Sequence, residues 1–448
     1  MEAERRAAEG AVQLEKRLRW PSEILGPMPG LNELHLACWT LVIVFFILRF
    51  CIPVWIQFKA GKGSIPVVPN DFIYFYGIGH IVKDYPAARL YDYGLQLQVF
   101  NEIYKPPTRA YGPSPYPPFV ALFFSLFARI GFRLAFFLWM GCSLILYGVG
   151  IVAAVKDFFP GERIKISLIF CFAVAYYPFF WGIFVNGQLT SVAVCAVGLA
   201  VYLERRLRFF GSGLALSILA YKPTLLVLLI PMLLVTRRFR TLAGFATGGA
   251  ALVLIGTGFG GIAIWPEYAQ FLRLFGQLTG MNGQSALLLY KYVDLNSFLQ
   301  EIVGGRTPAT TVILIAIAVA VTATAAVLLW KSAGGCEAAQ SLAWAATITW
   351  TLLLNVYVPM YDSVLVVIAA MLTLGAVKEL KWDSAVRWIM TLSVMVFAVS
   401  WVTYDIAQAH RIQLLSIAFA VLGLTQLFLL YRVTARGNTD DETALATA

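Results

Sequence analysis

Charge is scarce in this chain. Of its 448 residues only 13% are Asp, Glu, Lys or Arg, whereas soluble domains carry about 25%. With 60% hydrophobic residues and a mean hydropathy of +0.76, a fold that lives in water is excluded. Cysteine offers no pattern. The six cysteines (Cys38, Cys51, Cys142, Cys171, Cys195 and Cys336) stand alone, form no CxxC pair and mostly lie inside apolar runs. They read as small buried hydrophobes and not as a redox or metal site. No GxxxxGK[ST] nucleotide loop occurs, which argues against ATP-driven transport. An HExxH motif and a GxSxG elbow are missing too, as is the alternation of an outer-membrane barrel.

Long apolar runs are what the sequence has. About eleven or twelve recur between Leu34 and Tyr431, and a run of about 20 residues crosses a hydrocarbon core as a helix. Lipid offers backbone groups no partner, so each run satisfies its own N–H and C=O groups as a helix. The expected fold is an all-α polytopic membrane protein. A first span is expected at 34–58, followed by a long polar, aromatic loop at 59–116. Runs follow at 117–131, 134–155, 164–184, 188–203, 209–235 and 241–264. A second polar loop covers 265–308, and five further runs lie between 309 and 432. The chain thus divides into a charged cytosolic segment at 1–33, one membrane domain at 34–432 and a disordered cytosolic tail at 433–448. No cleavable signal peptide is expected, because the first apolar run lies behind a charged stretch too long for an n-region.

The net charge of +10 does not point to nucleic acid. The basic residues form short clusters beside apolar runs, among them Arg205-Arg206-Leu207-Arg208 and Arg237-Arg238-Phe239-Arg240. That is the form of a positive-inside bias. It places the N-terminus and these clusters in the cytosol, and the 59–116 and 265–308 loops outside. Both clusters look cytosolic, yet only about 28 residues separate them, and one crossing would put them on opposite sides. Two half-helices turning at Tyr221-Lys222-Pro223 solve the parity, and Pro223 removes the helix hydrogen bond there. The segment Leu95–Tyr104 is amphipathic and suited to lying in the interface.

Polar residues within or beside membrane segments are candidates for function. Asp71 opens the apolar, aromatic stretch Phe72-Ile73-Tyr74-Phe75-Tyr76. It reads either as a helix N-cap or as a general base in a partly dry pocket. Lys222 sits midway through about 27 apolar residues, too deep to snorkel, and suits an anion such as phosphate. Asn186-Gly187-Gln188 suits either sugar hydrogen bonds or helix bridging. Tyr361-Asp362 heads a late span, where Asp362 caps a helix or faces the same cavity as Asp71. His35 and His410 are expected at the interfaces, with Trp55, Trp181, Trp265 and Trp401 in an aromatic belt.

These residues, taken in order, resemble glycosyltransferase family 87. The likeness rests on Asp71-Phe72, Tyr91-Asp92, Pro115-Tyr116-Pro117-Pro118, Asn186-Gly187-Gln188, Lys222-Pro223 with its trailing arginines, and Tyr361-Asp362. It covers most of 34–377. The family is similar to the GT-C superfamily of polytopic transferases and to the mannosyltransferases of phosphatidylinositol mannoside synthesis. The resemblance implies a polyprenyl-phosphate sugar donor held among membrane lipids and a glycolipid or envelope glycan acceptor. It also implies inverting transfer of mannose or another hexose or pentose at the outer face of the plasma membrane. It casts Asp71 as base and Lys222, Asn186, Gln188, Tyr361 and Asp362 as donor contacts. Tyr74, His80 and Glu267 become substrate contacts, and no cofactor, metal or nucleic acid is implied. Two departures stand out: no second acid flanks Asp71, and Val358-Pro359-Met360-Tyr361 lacks a histidine that relatives often carry. A transporter or lipid flippase is the alternative from another class. The long aromatic loop and the lack of an inverted repeat favour the enzyme.

Overall fold

The computed structural model describes residues 71–103, 111–158, 163–279 and 287–447, with four isolated positions between 40 and 47. The segment 1–33, nearly all of the expected first span and the loop before Asp71 lie outside the described residues. So do His35, Cys38, Cys51 and Trp55. The first half of the described chain runs through α1 (Phe72–Asp84), α2 (Tyr93–Ile103), α3 (Pro118–Phe127), α4 (Phe132–Val155), α5 (Arg163–Ala175), α6 (Thr190–Arg205), α7 (Phe209–Ser217) and α8 (Leu229–Val235). The second half runs through α9 (Phe239–Gly260), α10 (Ile264–Thr279), α11 (Leu295–Val303), α12 (Pro308–Ser332), α13 (Glu337–Leu353), α14 (Leu365–Glu379), α15 (Asp383–His410) and α16 (Leu414–Thr447). Among the described residues, β pairing is confined to one antiparallel bridge, Tyr292 to Pro359.

Six of the described helices are long and apolar enough to cross a membrane. They are α4, α9, α12, α14 with the short 3-10 turn before it, α15 and α16 as far as Ala435. Their burial sorts them. The span ending in α14 is 78% buried and forms the centre of the bundle, whereas the core of α12 is 11% buried and faces lipid. Not every apolar run is one straight crossing. α3 is ten residues, about 15 Å, half of a hydrocarbon core. The run through 178–205 is bent by 118° between Pro178–Val185 and α6. Gly187 sits at that bend with φ +78, a conformation glycine adopts without strain. The long contact of α4 with α6 rests on a pair of glycines. A Cβ on Gly198 would lie 2.1 Å from the carbonyl oxygen of Gly150, so the two backbones touch directly.

The run at 209–235 is broken where the proline predicts. A 3-10 turn ends at Tyr221, Lys222 is extended (φ −141, ψ 78), and a second 3-10 turn starts at Pro223. A residue before proline is pushed out of the helical region, which explains the extended lysine. Both legs of this hairpin return to one end of the bundle. Arg238, just past the second leg, pairs with Glu204, just before the first. The same end collects Arg205 on Glu379 (3.0 Å), Arg206 on Asp157 (3.0 Å) and Arg237 over the Trp330 ring (4.3 Å). The first leg, Phe209–Tyr221, is about 20 Å long, shorter than the hydrocarbon core. Its tip therefore stops within the depth of the membrane.

The outer layer departs from one expectation. α2 does not lie free as an interfacial helix. Leu95, Val99 and Phe100 are buried, and the Phe100 ring meets Tyr74 of α1 edge-on at 5.4 Å. Gln96, fully buried, donates to Leu90 O (2.9 Å) and accepts from Ser114 N (3.0 Å). α1, α2 and α3 thus form a small aromatic cap around Phe72, Phe75 and Phe124.

Candidate active site

Four chain segments converge at the end of the bundle away from the arginines. They are the start of α1, the 186–190 bend, the 222 hairpin tip and the 355–362 turn. α6 measures the separation. Its sixteen residues run from Thr190 at the site to Arg205 at the basic end, about 24 Å away.

Asp71 precedes α1, but its side chain makes no cap hydrogen bond. The bend occupies that role: the Phe72 N–H donates to Asn186 O at 3.0 Å. The cap reading of Asp71 therefore fails, and its carboxylate is left for other work. It accepts a hydrogen bond from the Gln188 side chain. Burial pushes the Asp71 carboxyl above its ordinary value, against the Gln188 hydrogen bond and the positive charge of Lys291, which pull it down. Gly187 holds the bend close to Asp71. A Cβ there would lie 2.7 Å from Phe72 Cβ, and its carbonyl accepts from Trp139 Nε1 at 3.0 Å.

Lys222 forms an ion pair with Asp362, and its ammonium lies 5.1 Å from the centre of the Tyr361 ring. Asp362 is wholly buried and accepts a second bond from Thr190 Oγ1 at 2.7 Å. Asp362 therefore does not cap α14; it serves as counter-ion to a lysine at membrane depth. The two carboxylates share tyrosine neighbours. The charges of Asp362 and Asp71 both act on the hydroxyls of Tyr116 and Tyr292, whose acidity burial has already weakened. A carboxylate and a cation brought to one end of the bundle can take a proton from one group and hold an anion leaving another.

A third acid was not among the expected site residues. Asp294 is fully buried and caps α11, accepting from Ser297 N (2.8 Å), Ser297 Oγ (2.9 Å) and Val358 N (2.7 Å). Burial raises its pKa to about 6, against those hydrogen bonds. With the Val293 N–H on Val358 O (2.9 Å), it ties the second outer loop to the turn that carries Tyr361 and Asp362. The signal was present as Asp294-x-x-Ser297 before an apolar run, the form of an N-cap. No sequence signal places Thr190 beside Asp362, 172 positions away.

The other expected contacts have partners of their own. Tyr74 packs between Phe100 and Tyr111, and its hydroxyl accepts from Gly112 N at 3.4 Å. His80 pairs with Asp84 one turn further along α1 (2.6 Å), and lies nine residues, about 13 Å, beyond Asp71. Glu267, in the first turn of α10, acts on Tyr91, whose ring meets that of Tyr268 at a tilt (5.3 Å) and whose hydroxyl donates to Tyr116 O. Among the described residues, no group of three His, Cys, Asp or Glu could hold a metal ion.

No curated protein and no solved structure matches this chain significantly. The sequence model of glycosyltransferase family 87 does match, over residues 115–359. That span takes in Asn186, Gln188, Lys222, Glu267 and Asp294, and leaves Asp71, Tyr361 and Asp362 outside. Since it covers more than half of the 448 residues, the chain belongs to glycosyltransferase family 87, and it is a multi-pass membrane glycosyltransferase.

Proposed function

We propose that the protein transfers a sugar, mannose or another hexose or pentose, from a polyprenyl-phosphate donor to a lipid-linked or envelope glycan acceptor. Transfer takes place at the extracytoplasmic face of the plasma membrane. The observation that carries this reading is the pairing of depth and chemistry at Lys222. A cation at the tip of a hairpin too short to cross meets a phosphate that a lipid carries in the bilayer, and not one delivered from water. Asp71, freed from capping and with a raised pKa, is suited to take the acceptor proton.

In this reading the acceptor hydroxyl loses its proton to Asp71 as its oxygen attacks the anomeric carbon. The bond from that carbon to the phosphate oxygen breaks on the opposite face, and configuration inverts. The electron pair leaves with the polyprenyl phosphate, whose growing charge Lys222 stabilises. The Asp71 proton then passes to water. Gln188 orients the base, and Tyr116, Tyr292 and Tyr361 offer aromatic faces to the sugar. The basic end, with Arg205, Arg206, Arg237 and Arg238, belongs on the cytosolic side.

The test uses purified protein in nanodiscs with a polyprenyl-phosphate hexose and an envelope lipid extract. Mass spectrometry follows free carrier and a hexose-sized gain on the acceptor. Wild type releases carrier, while Asp71→Asn is slowed on the order of a hundredfold or more. Equal release by both removes Asp71 as base. No release from any polyprenyl carrier removes the donor assignment.

A further inference from the structure

The resting site holds its cation already engaged. Lys222 is paired with Asp362, which is fully buried and anchored through its other oxygen to Thr190. The lysine side chain keeps about a fifth of its surface open, and it carries the longer, more flexible stem of the two. Of the two partners, therefore, the lysine can turn toward a ligand while the aspartate stays fixed.

From this arrangement, and resting on the donor assignment above, we infer that Asp362 is a built-in competitor for Lys222 that sets how tightly the carrier phosphate is held and how fast the spent carrier leaves. The charges give the reason. The sugar-bearing donor is a phosphodiester with one negative charge. The product is a monoester, which carries close to two at neutral pH because its second ionisation lies near 6. A bare lysine at membrane depth would therefore hold the product more tightly than the donor and stall turnover. A fixed carboxylate lowers both affinities by the free energy of the pair it re-forms when the phosphate departs. It also keeps the lysine from standing unpaired between turnovers, a state that desolvation makes expensive. Thr190 tunes the competition. Its hydroxyl stabilises the Asp362 carboxylate independently of Lys222 and so weakens the carboxylate's hold on the lysine.

Two substitutions then move binding in opposite directions, which damage to the fold alone does not produce. Asp362→Asn keeps the shape and can still accept from Thr190, but it removes the competing charge. Thr190→Val keeps the shape and leaves the carboxylate leaning on Lys222 alone. The experiment titrates sugar-free polyprenyl phosphate into each protein in nanodiscs by native mass spectrometry, with thermal melting to confirm folding. Asp362→Asn is expected to lower the dissociation constant at least tenfold, and to turn the carrier into a strong product inhibitor. Thr190→Val is expected to raise the constant severalfold. If wild type binds but Asp362→Asn binds equally or more weakly, the competitor role is overturned while the donor assignment stands. Thr190→Val binding as tightly as wild type also overturns it, and this variant alone decides the matter if Asp362→Asn does not fold. Failure of wild type to bind overturns the donor assignment, and the competitor with it.

Discussion

Replacing Asp294 by asparagine isolates a single buried charge at the joint between the outer loop and the Asp362 turn. The wild-type carboxyl has an ordinary value near 3.8 in an unfolded chain and about 6 in the folded one. Between those values the folded protein holds a proton that the unfolded chain has lost, so stability falls as pH rises. The contribution is fully present below pH 3.8 and is lost above about pH 6. At 1.36 kcal/mol per pH unit it amounts to about 3 kcal/mol. Asparagine removes that dependence. Its amide nitrogen must also face either the Ser297 N–H or the Val358 N–H, each of which now donates to a carboxylate oxygen. An unsatisfied buried donor costs about 1–3 kcal/mol. The two effects nearly offset at pH 7. In acid only the lost hydrogen bond remains, so the variant is weaker there by about 1–3 kcal/mol. The assay is thermal unfolding of both proteins from pH 4.5 to 7.5, in one detergent, read as their difference. Other raised carboxyls, Asp71 and Glu301, titrate in both proteins and cancel. Curves that run parallel across the range refute the buried-charge argument.

Three further outcomes follow from the same geometry. Gly187→Ala places a Cβ 2.7 Å from Phe72 Cβ at φ +78, and is expected to lose about 1–3 kcal/mol of stability together with most transfer activity; an unchanged melt and rate would remove the bend from the site. Gln188→Leu deletes the hydrogen bond that holds the raised Asp71 carboxyl down. In the proposed reaction activity needs the ionised base, so the acidic limb of the kcat/KM profile moves to higher pH, and a stationary limb contradicts the pairing. Arg238→Met strands Glu204 in the core and costs about 3–5 kcal/mol, much of which Glu204→Leu in the same chain restores. A double variant no more stable than the single shows that the pair is not what fixes this end.

Residues whose role is local were the legible ones. Pro223 and the two arginine clusters announced a hairpin, because a missing N–H and a parity count need no tertiary information. The abundance of helix was read from hydropathy, but the number of crossings was not. An apolar run counts the same whether it spans, as α9 does, or stops short, as α3 and the 209–221 leg do. The site was legible residue by residue and not pair by pair. Lys222 advertised a need for an anion, yet its partner lies 140 positions away, and the third member, Thr190, resembles any helix-opening threonine. For Asp71 the local pattern pointed to a cap, and a distant carbonyl, Asn186 O, supplied the helix instead. Tyr74 and His80 were named as substrate contacts on the resemblance alone. In the fold Tyr74 packs on Phe100 of α2 and His80 pairs with Asp84.

The hairpin with both legs rooted among the arginines has a consequence for the membrane itself. Its tip is set from the basic face, and its neighbours there, Asp362 on Lys222 and the Asn355 amide on Thr224 O (2.7 Å), belong to the protein and not to the lipid. Each helical residue added to or taken from both legs moves Lys222 by about 1.5 Å, while each ångström of bilayer thickness moves the opposite headgroups and leaves the lysine where it is. The gap between cation and headgroup level is therefore shared between protein and lipid. A thin bilayer brings its phosphates down to the tip, whereas a thick, sterol-stiffened one strands the tip beneath them. In the proposed reaction, acyl-chain length is in this sense part of the donor site.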